Sequence, residues 1–547
     1  MKAVTPVFQP RHQLLFLLFL AFVLNANTLY NEYALDDAMV ITRNQFVEKG
    51  FKGIPAILST DLMRGFTVQK SLSVQVRYRP LPLVILAVEN QFFGNSPFAG
   101  HLTNVMLFMV LVALLYRLLA TLVRDTSSYL PFLACLLFVV HPVHTEVIAN
   151  IKSMDELLAF ILLLLSLVFL PGIVTQKQSW KLALSLICYL MALLCRESAV
   201  TFIGVLPLIL FFFYNKSLWN SLKATLPFAG IFVLYLLIRY AVVGMDYYNV
   251  KSITLAPFML ATPAQAFATK IFILIRYIGL LFFPFYLSSD YGYNQIPYVD
   301  LVSPEFVVSA LLLCVLILFS LYQLRKRSMV AFSILYFFIT ISIGSNLILE
   351  LGSPMADRML FQPSLAFCIL LALFSIRIAQ QYKVLVLSGI SVICIVFSVK
   401  TVLRNREWTN TETLYLADVQ TAPNSARISL GASEVYRSKG EEEQEAKRKQ
   451  YYFEQARICG ERSLQTDPGN PSTYISLGFL AFDQYNYTKA AEYYQKGYAL
   501  DTNSEQAREC LYVLSTLFYK HGNSLMEEGK TQEAEESYRK AMELSKK

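Results

Sequence analysis

Two adjacent carboxylates, Asp36-Asp37, follow the first apolar run of the chain. Neighbouring side chains cannot share one face. One can therefore point to a cavity while the other caps a helix expected over Ala38 to Lys49. A carboxylate at a membrane surface can take a proton from a hydroxyl or ligate a metal; equally, both can do no more than cap that helix. The second group is His141-Pro142-Val143-His144-Thr145-Glu146, followed by Lys152 and Asp155-Glu156. Helical zinc pairs place two His about four residues apart. Here His144 is followed by Glu146 with no third His nearby, so zinc is not expected. A cluster for an anionic headgroup or its metal fits these residue types, and so do polar residues that merely cap two helices. Third come Arg196-Glu197 and Asp357-Arg358, each between two apolar runs. Each can be a structural ion pair, but Arg is also the side chain suited to bidentate phosphate contact. Arg77 and Arg79 add to that supply. No P-loop, GxGxxG or GxSxG pattern lies between strand and helix, which disfavours nucleotide hydrolysis and serine-hydrolase chemistry.

The elements that must position these groups are apolar. The chain has 547 residues, 55% hydrophobic and 16% charged, with mean hydropathy +0.46. Soluble domains carry about 25% charged residues, so a polytopic membrane protein is expected. A spanning helix needs roughly 20 mostly apolar residues. Runs near 14–24, 99–122, 129–141, 157–173, 182–195, 199–214, 224–242, 304–324, 329–348, 360–376 and 384–402 predict eleven spans, the first read as a retained helix. The stretch 266–287 is apolar but contains Lys270, Arg276 and Pro284, and is expected to be re-entrant or interfacial. With that reading, Lys2, Arg11, Arg117, Arg124, Lys177, Lys181, Lys216, Lys223, Arg325, Lys326, Arg327, Arg377 and Lys383 all fall on one side. The positive-inside bias makes that side cytoplasmic. The carboxylates, His and Arg named above then lie in outer segments, including a long polar first loop at 29–98. Charge at a membrane boundary must pair, snorkel or line an aqueous cavity, and one extracytoplasmic cavity is the economical inference. The eight Cys carry no redox pattern.

Composition changes after Arg404-Asn405-Arg406-Glu407-Trp408. Residues 1–403 hold 28 Lys+Arg against 17 Asp+Glu, and 404–547 hold 19 against 22. The basic excess therefore belongs to the apolar part, which argues against nucleic acid as a partner. Pro471 to Ser504 is a 34-residue unit with Tyr474, Leu477, Gly478 and Ala481 on one helix and Ala490, Tyr494 and Gly497 on the next. That is tetratricopeptide spacing. Phe518, Gly522, Ala534, Tyr538 and Ala541 repeat it, and an earlier unit over 424–470 has Gly431, Ala456 and an extra charged segment, Glu441 to Lys449. A three-unit α-solenoid for peptide or protein partners is expected over 404–547.

Taken in order, these motifs carry a family resemblance. The acidic pair, Arg77-Tyr78-Arg79-Pro80-Leu81, His141 to Glu146, Arg196-Glu197-Ser198, Pro284 to Tyr291, Asp357 to Ser364, Arg404-Asn405 with Trp408, and the terminal repeats occur together. The whole chain resembles the transmembrane and tetratricopeptide-repeat O-mannosyltransferase family and its bacterial relatives. It is more distantly similar to protein O-mannosyltransferases of the GT-C fold. That resemblance implies an all-α protein: a GT-C-like membrane domain over 1–403, then the repeats. It implies transfer of a sugar such as mannose from a polyprenyl-phosphate donor to a Ser or Thr hydroxyl, on the non-cytoplasmic face of what would be a bacterial inner membrane. By the same implication Asp37, or Asp36, is the acid/base. Arg358, Arg196 and Arg79 hold the lipid phosphate, and His144 and Glu146 line the site beside Glu197 and Asp357. No cofactor is implied with certainty; the carboxylates could take a divalent metal ion. Lys152-Ser153-Met154 departs from the Gly-Arg that relatives tend to place before the Asp. Two competing classes remain: a non-catalytic scaffold whose repeats recruit partners, and a carrier of lipid-linked saccharide, for which matched inverted repeats are not found.

Overall fold

A computed structural model describes residues 9–66, 77–123, 129–174, 178–244, 253 and 256–545. Lys2, Arg124 and Lys177, used in the topology argument, lie outside the described residues. The described elements are helical, and the chain divides into two units.

The first unit comprises Met1–Lys251, Leu260–Ser289 and Tyr298–Leu414. Its main helices are α1 (Pro10–Asn25), α2 (Pro80–Phe93), α3 (Pro97–Leu122), α4 (Leu130–Val140), α5 (Met154–Val168), α6 (Ser179–Cys195), α7 (Phe202–Phe213), α8 (Leu226–Val243), α9 (Pro263–Phe282), α10 (Pro304–Leu324), α11 (Met329–Ile341), α12 (Ser364–Ala379) and α13 (Lys383–Glu407). Pro at the first turn starts seven of these (α1, α2, α3, α4, α8, α9, α10), where its missing N–H costs nothing. Among the described residues, six helical stretches are long and apolar enough to cross a membrane, seven if the 59° bent pair Leu130–Val140 and Pro142–Ala149 is one span. The expected count of eleven is therefore not reached by length. Several apolar runs shorten because a polar turn cuts into them: Pro142–His144 after α4, Glu197–Thr201 before α7, and Asp357–Leu360 before α12. The first loop, expected to be polar, contains the apolar helix α2.

Most of the stretch 266–287 is helix α9, which ends at Phe282, before Pro284, and passes the length test for a span. Its two ends nevertheless meet the same end of the bundle. Gln265 Nε2 donates to Asp300 just before α10 (3.0 Å), and the Leu281 carbonyl lies 3.0 Å from His141 Nε2 just after α4. The opposite end holds the loop after α10, where Arg327 bonds Asn215 and Lys216 after α7.

The second unit comprises Ser252–Met259, Asp290–Pro297 and Tyr415–Lys547. It contains three helical hairpins: α14 (Ala426–Glu442) with α15 (Ala446–Thr466), α16 (Pro471–Asp483) with α17 (Tyr487–Leu500), and α18 (Glu505–Glu527) with α19 (Thr531–Ser545). Ala481, Ala490, Tyr494, Ala507, Leu511 and Leu514 form one of its cores. The glycines expected to mark each repeat are steric: a Cβ at Gly478 would run into the Tyr494 ring, and one at Gly522 into Tyr538. Helix α18 starts ten residues before the expected position near 515, so the last hairpin has a lengthened first helix.

Overpacking of this kind costs about 1–3 kcal/mol. Gly478→Ala in the full-length protein should therefore open the repeats to limited proteolysis at lower temperature than wild type, while the bundle's protease pattern stays unchanged.

Candidate active site

The segment after α1 is held by the far end of the chain. Asn31 Nδ2 donates to the carbonyls of Asn405 (3.0 Å) and Trp408 (3.1 Å), and Asn405 Nδ2 donates to the Leu24 carbonyl (2.9 Å). The Glu32 N–H donates to the Thr409 carbonyl at 2.7 Å. Trp408, fully buried, packs on Ala34, Ala149 and Leu414. Leu35 has φ +48°, a left-handed conformation unfavourable for a branched side chain, and its N–H is caught by Thr411 Oγ1 at 2.9 Å. That kink delivers the acidic pair.

The two acids have different fates. Asp37 is 0% exposed, and its oxygens accept from two backbone N–H groups, Ala34 at 3.0 Å and Lys152 at 2.8 Å. Burial pushes its carboxyl up to about 7; the two N–H donors and the Lys152 ammonium pull it down, and Asp36 pushes it up. Asp36 keeps 32% of its side chain exposed and pairs with Lys152 Nζ at 3.3 Å. Neither acid caps a helix over 38–49. Residues Ala38–Thr42 form one wide turn, and Asn44 caps the next short helix by accepting from the N–H of Phe46 and Val47. The capping alternative is thus replaced by a brace and a half-buried carboxylate.

Behind them lies a buried ionic network. Asp155 Oδ2, at the start of α5, accepts from Arg79 Nη1 (2.7 Å) and Arg196 Nη1 (2.9 Å). Arg79 also pairs with Glu197 at 2.7 Å, and Arg196 with Glu156 at 2.9 Å. Glu146 accepts from both the Arg358 guanidinium and the Arg358 N–H, the latter at 2.8 Å. Asp357 accepts from the Ser288 N–H at 3.1 Å. Neither Arg196-Glu197 nor Asp357-Arg358 pairs with its own neighbour; each residue binds a different element, because adjacent side chains diverge at these turns. His144 is buried among Phe138 and Phe361, with Nε2 2.8 Å from Ser364 Oγ. Asn104 of α3 fixes the intervening turn through the carbonyls of Ile148 (3.2 Å) and Asn150 (2.9 Å).

Asp36, Asp37, Arg79, Glu146, Arg196, Glu197 and Arg358 are thus brought to one end of the bundle, with His144 and Asp357 supporting it. Arg79 and Arg196 are each spoken for by two carboxylates. Arg358, with 22% of its side chain exposed, is the more available cation. Lys152, Asp155 and Glu156 were visible as polar residues in the sequence, but their partners were not. No group of three or more His, Cys, Asp or Glu among the described residues is arranged to hold a metal ion. Asp36, Glu146, Asp155, Glu156 and Glu197 face Lys or Arg, and Asp37 and Asp357 face backbone N–H groups.

The fold and site define an all-α, multi-pass membrane protein with a buried charged centre at one end of its bundle and a helical-repeat unit. A tetratricopeptide repeat family model matches residues 515–547. The chain is 24% identical to a protein O-mannosyl-transferase of Caenorhabditis elegans over 428 residues, covering 78% of this chain and 60% of the relative. It is 25% identical to the human protein O-mannosyl-transferase TMTC1 over 525 residues, covering 83% and 55%. A Drosophila melanogaster relative, Tmtc1, is 32% identical over 182 residues, covering 33% and 21%. These similarities bear out the resemblance to the transmembrane and tetratricopeptide-repeat family. The chain spans between about half and three fifths of the length of the first of these curated relatives.

Two outcomes follow from the burial. A carboxyl held near pH 7, against an ordinary value of 3.8, stabilises the fold below pH 3.8 and loses that contribution as pH rises through about 7. The melting temperature of wild type in detergent should therefore fall between pH 4 and 7 more steeply than that of Asp37→Asn. Arg196→Leu leaves buried Glu156 without its guanidinium and Asp155 with Arg79 alone, at a cost of about 3–5 kcal/mol. It should lower the melting temperature more than Arg358→Leu, whose guanidinium is partly solvated.

Proposed function

We propose that the protein is a GT-C-like glycosyltransferase. On this reading it moves a sugar, mannose in the first instance, from a polyprenyl-phosphate donor to a Ser or Thr hydroxyl of a polypeptide on the non-cytoplasmic side. The observation that carries it is the half-open carboxylate of Asp36 beside two cations, Lys152 and Arg358, at the edge of an apolar bundle. Asp36 is within reach of solvent, so it is the base; Asp37, locked by two N–H donors, braces it. The hydroxyl oxygen attacks the anomeric carbon, the bond from that carbon to the phosphate oxygen breaks, and its electron pair stays on the phosphate. The hydroxyl proton moves to Asp36. Arg358 neutralises the leaving phosphate, while Arg79 and Arg196 keep the surrounding carboxylates fixed.

An apolar bundle beside the charged end is compatible with a lipid-linked donor. A small apolar cavity of about 40 Å³ between α3, α5, α7, α11 and α12 is lined by Leu119, Leu164, Val205, Tyr336 and Leu365, with Thr201 and Gln362 towards the charged end. The sidedness rests on Lys181, Lys216, Lys223 and Arg325 to Arg327, which follow the other ends of the helices. The names of the relatives supply the choice of mannose, and the repeats suit a polypeptide acceptor.

Sugar transfer by the purified full-length protein in nanodiscs tests this. A positioned general base contributes about 10²–10⁴-fold, so Asp36→Asn should lose at least a hundredfold in rate while remaining folded. Because five of the site carboxylates already pair with Arg or Lys and the other two accept from backbone N–H groups, EDTA should leave the wild-type rate within about twofold. A wild-type protein inactive with every polyprenyl-phosphate sugar, whose Asp36→Asn variant still functions in cells, would replace the enzyme with a scaffold.

A further inference from the structure

Lys152 touches both acids of the pair: its backbone N–H donates to Asp37 Oδ1 at 2.8 Å and its ammonium lies 3.3 Å from Asp36 Oδ2. Its side chain is only 10% exposed. The charged groups that face it are Asp36 and Asp37 from the segment after α1, Asp155 from α5, Arg358 from the turn before α12 and Arg79 from the turn before α2. Burial and the two guanidinium groups push the ammonium down, and Asp36 and Asp155 pull it up.

The contacts of this cluster differ in tightness. The Arg79 and Arg196 pairs measure 2.7–2.9 Å and each guanidinium is shared by two carboxylates, whereas the Lys152 pair is longer, at 3.3 Å. A guanidinium is a rigid fork; an ammonium is a point charge on a flexible stem. Lys152 is therefore the cation of this cluster best able to change partner. We propose that Lys152 is a mobile counter-ion, holding Asp36 as a carboxylate in the resting site and turning to the donor phosphate as the acceptor proton reaches Asp36. This deepens the glycosyl-transfer reading above and rests on it. The charge balance asks for such a group. During transfer Asp36 goes from one negative charge to none as it gains the proton, while the phosphate goes from one to two as the anomeric carbon–oxygen bond breaks. A cation that follows this charge stabilises the transition state more than the ground state.

The test uses full-length wild type, K152M, K152R and D36N in nanodiscs. Infrared titration without substrate follows the Asp36 carboxyl band, identified as the band missing in D36N. Loss of a neighbouring positive charge raises a carboxyl by about one pH unit or more, so the midpoint should rise in K152M and stay in place in K152R. Transfer from polyprenyl-phosphate mannose to a Ser/Thr peptide should lose about a hundredfold in kcat in K152M, with donor KM changed less than about threefold. K152R should recover the pH midpoint but only part of kcat, because its fork cannot swing. An unmoved midpoint in K152M, or wild-type kcat in K152R, overturns the proposal. Should K152M not fold, K152Q carries the same comparison. If wild type transfers nothing, the glycosyl-transfer reading falls and the turn to phosphate with it; a moved midpoint then leaves only Lys152 as the counter-ion of Asp36, and an unmoved one refutes that too.

Discussion

Asp155 places a carboxylate inside an apolar bundle, and one of its oxygens binds both Arg79 and Arg196. The rest of the charged end depends on that three-way contact. An unpaired ion there would cost several kcal/mol of desolvation, so the turn before α2, the start of α5 and the link between α6 and α7 are drawn to one point. Glu156 and Glu197 then complete the two guanidinium shells. Lys152, three residues before Asp155, is carried into range of the acidic pair by the same turn.

Stability alone does not account for this arrangement. Well-packed hydrophobic residues of similar volume often replace a buried ion network without loss. What the network supplies is a fixed set of charges in a low-dielectric place, where each acts more strongly than it would in water. Asp37 shows the same trade: complete burial pushes its carboxyl up to about 7, and two backbone N–H groups offset part of that cost. Its neighbour Asp36, in the same local sequence, keeps a face to solvent.

The end of α13 explains why the motif Arg404-Asn405 with Trp408 accompanies the acidic pair. Asn31 and Asn405 bond across 374 residues of chain, and Thr411 secures the left-handed Leu35. Such a backbone costs on the order of 1–3 kcal/mol and persists where surroundings over-determine it. Here it turns Asp36 one way and Asp37 the other.

Hydropathy and repeat spacing were enough to separate an apolar bundle from a helical-repeat tail, because burial against lipid and burial of a helix face both leave periodic marks in composition. The types of the site residues were legible for a related reason: Asp, Arg and His beside apolar runs are expensive and stand out. Their partnerships were not legible. Arg196-Glu197 and Asp357-Arg358 could be local pairs or phosphate ligands by sequence, yet Arg196 binds Asp155 and Glu156 on α5, Glu197 binds Arg79, and Arg358 binds Glu146. Helix lengths were misread where polar turns cut into apolar runs, since hydropathy is averaged over a window wider than a turn. The sequence by itself determined which charges must be satisfied. Tertiary structure alone decided by whom, because an ion pair depends on distances between elements that lie tens to hundreds of residues apart along the chain.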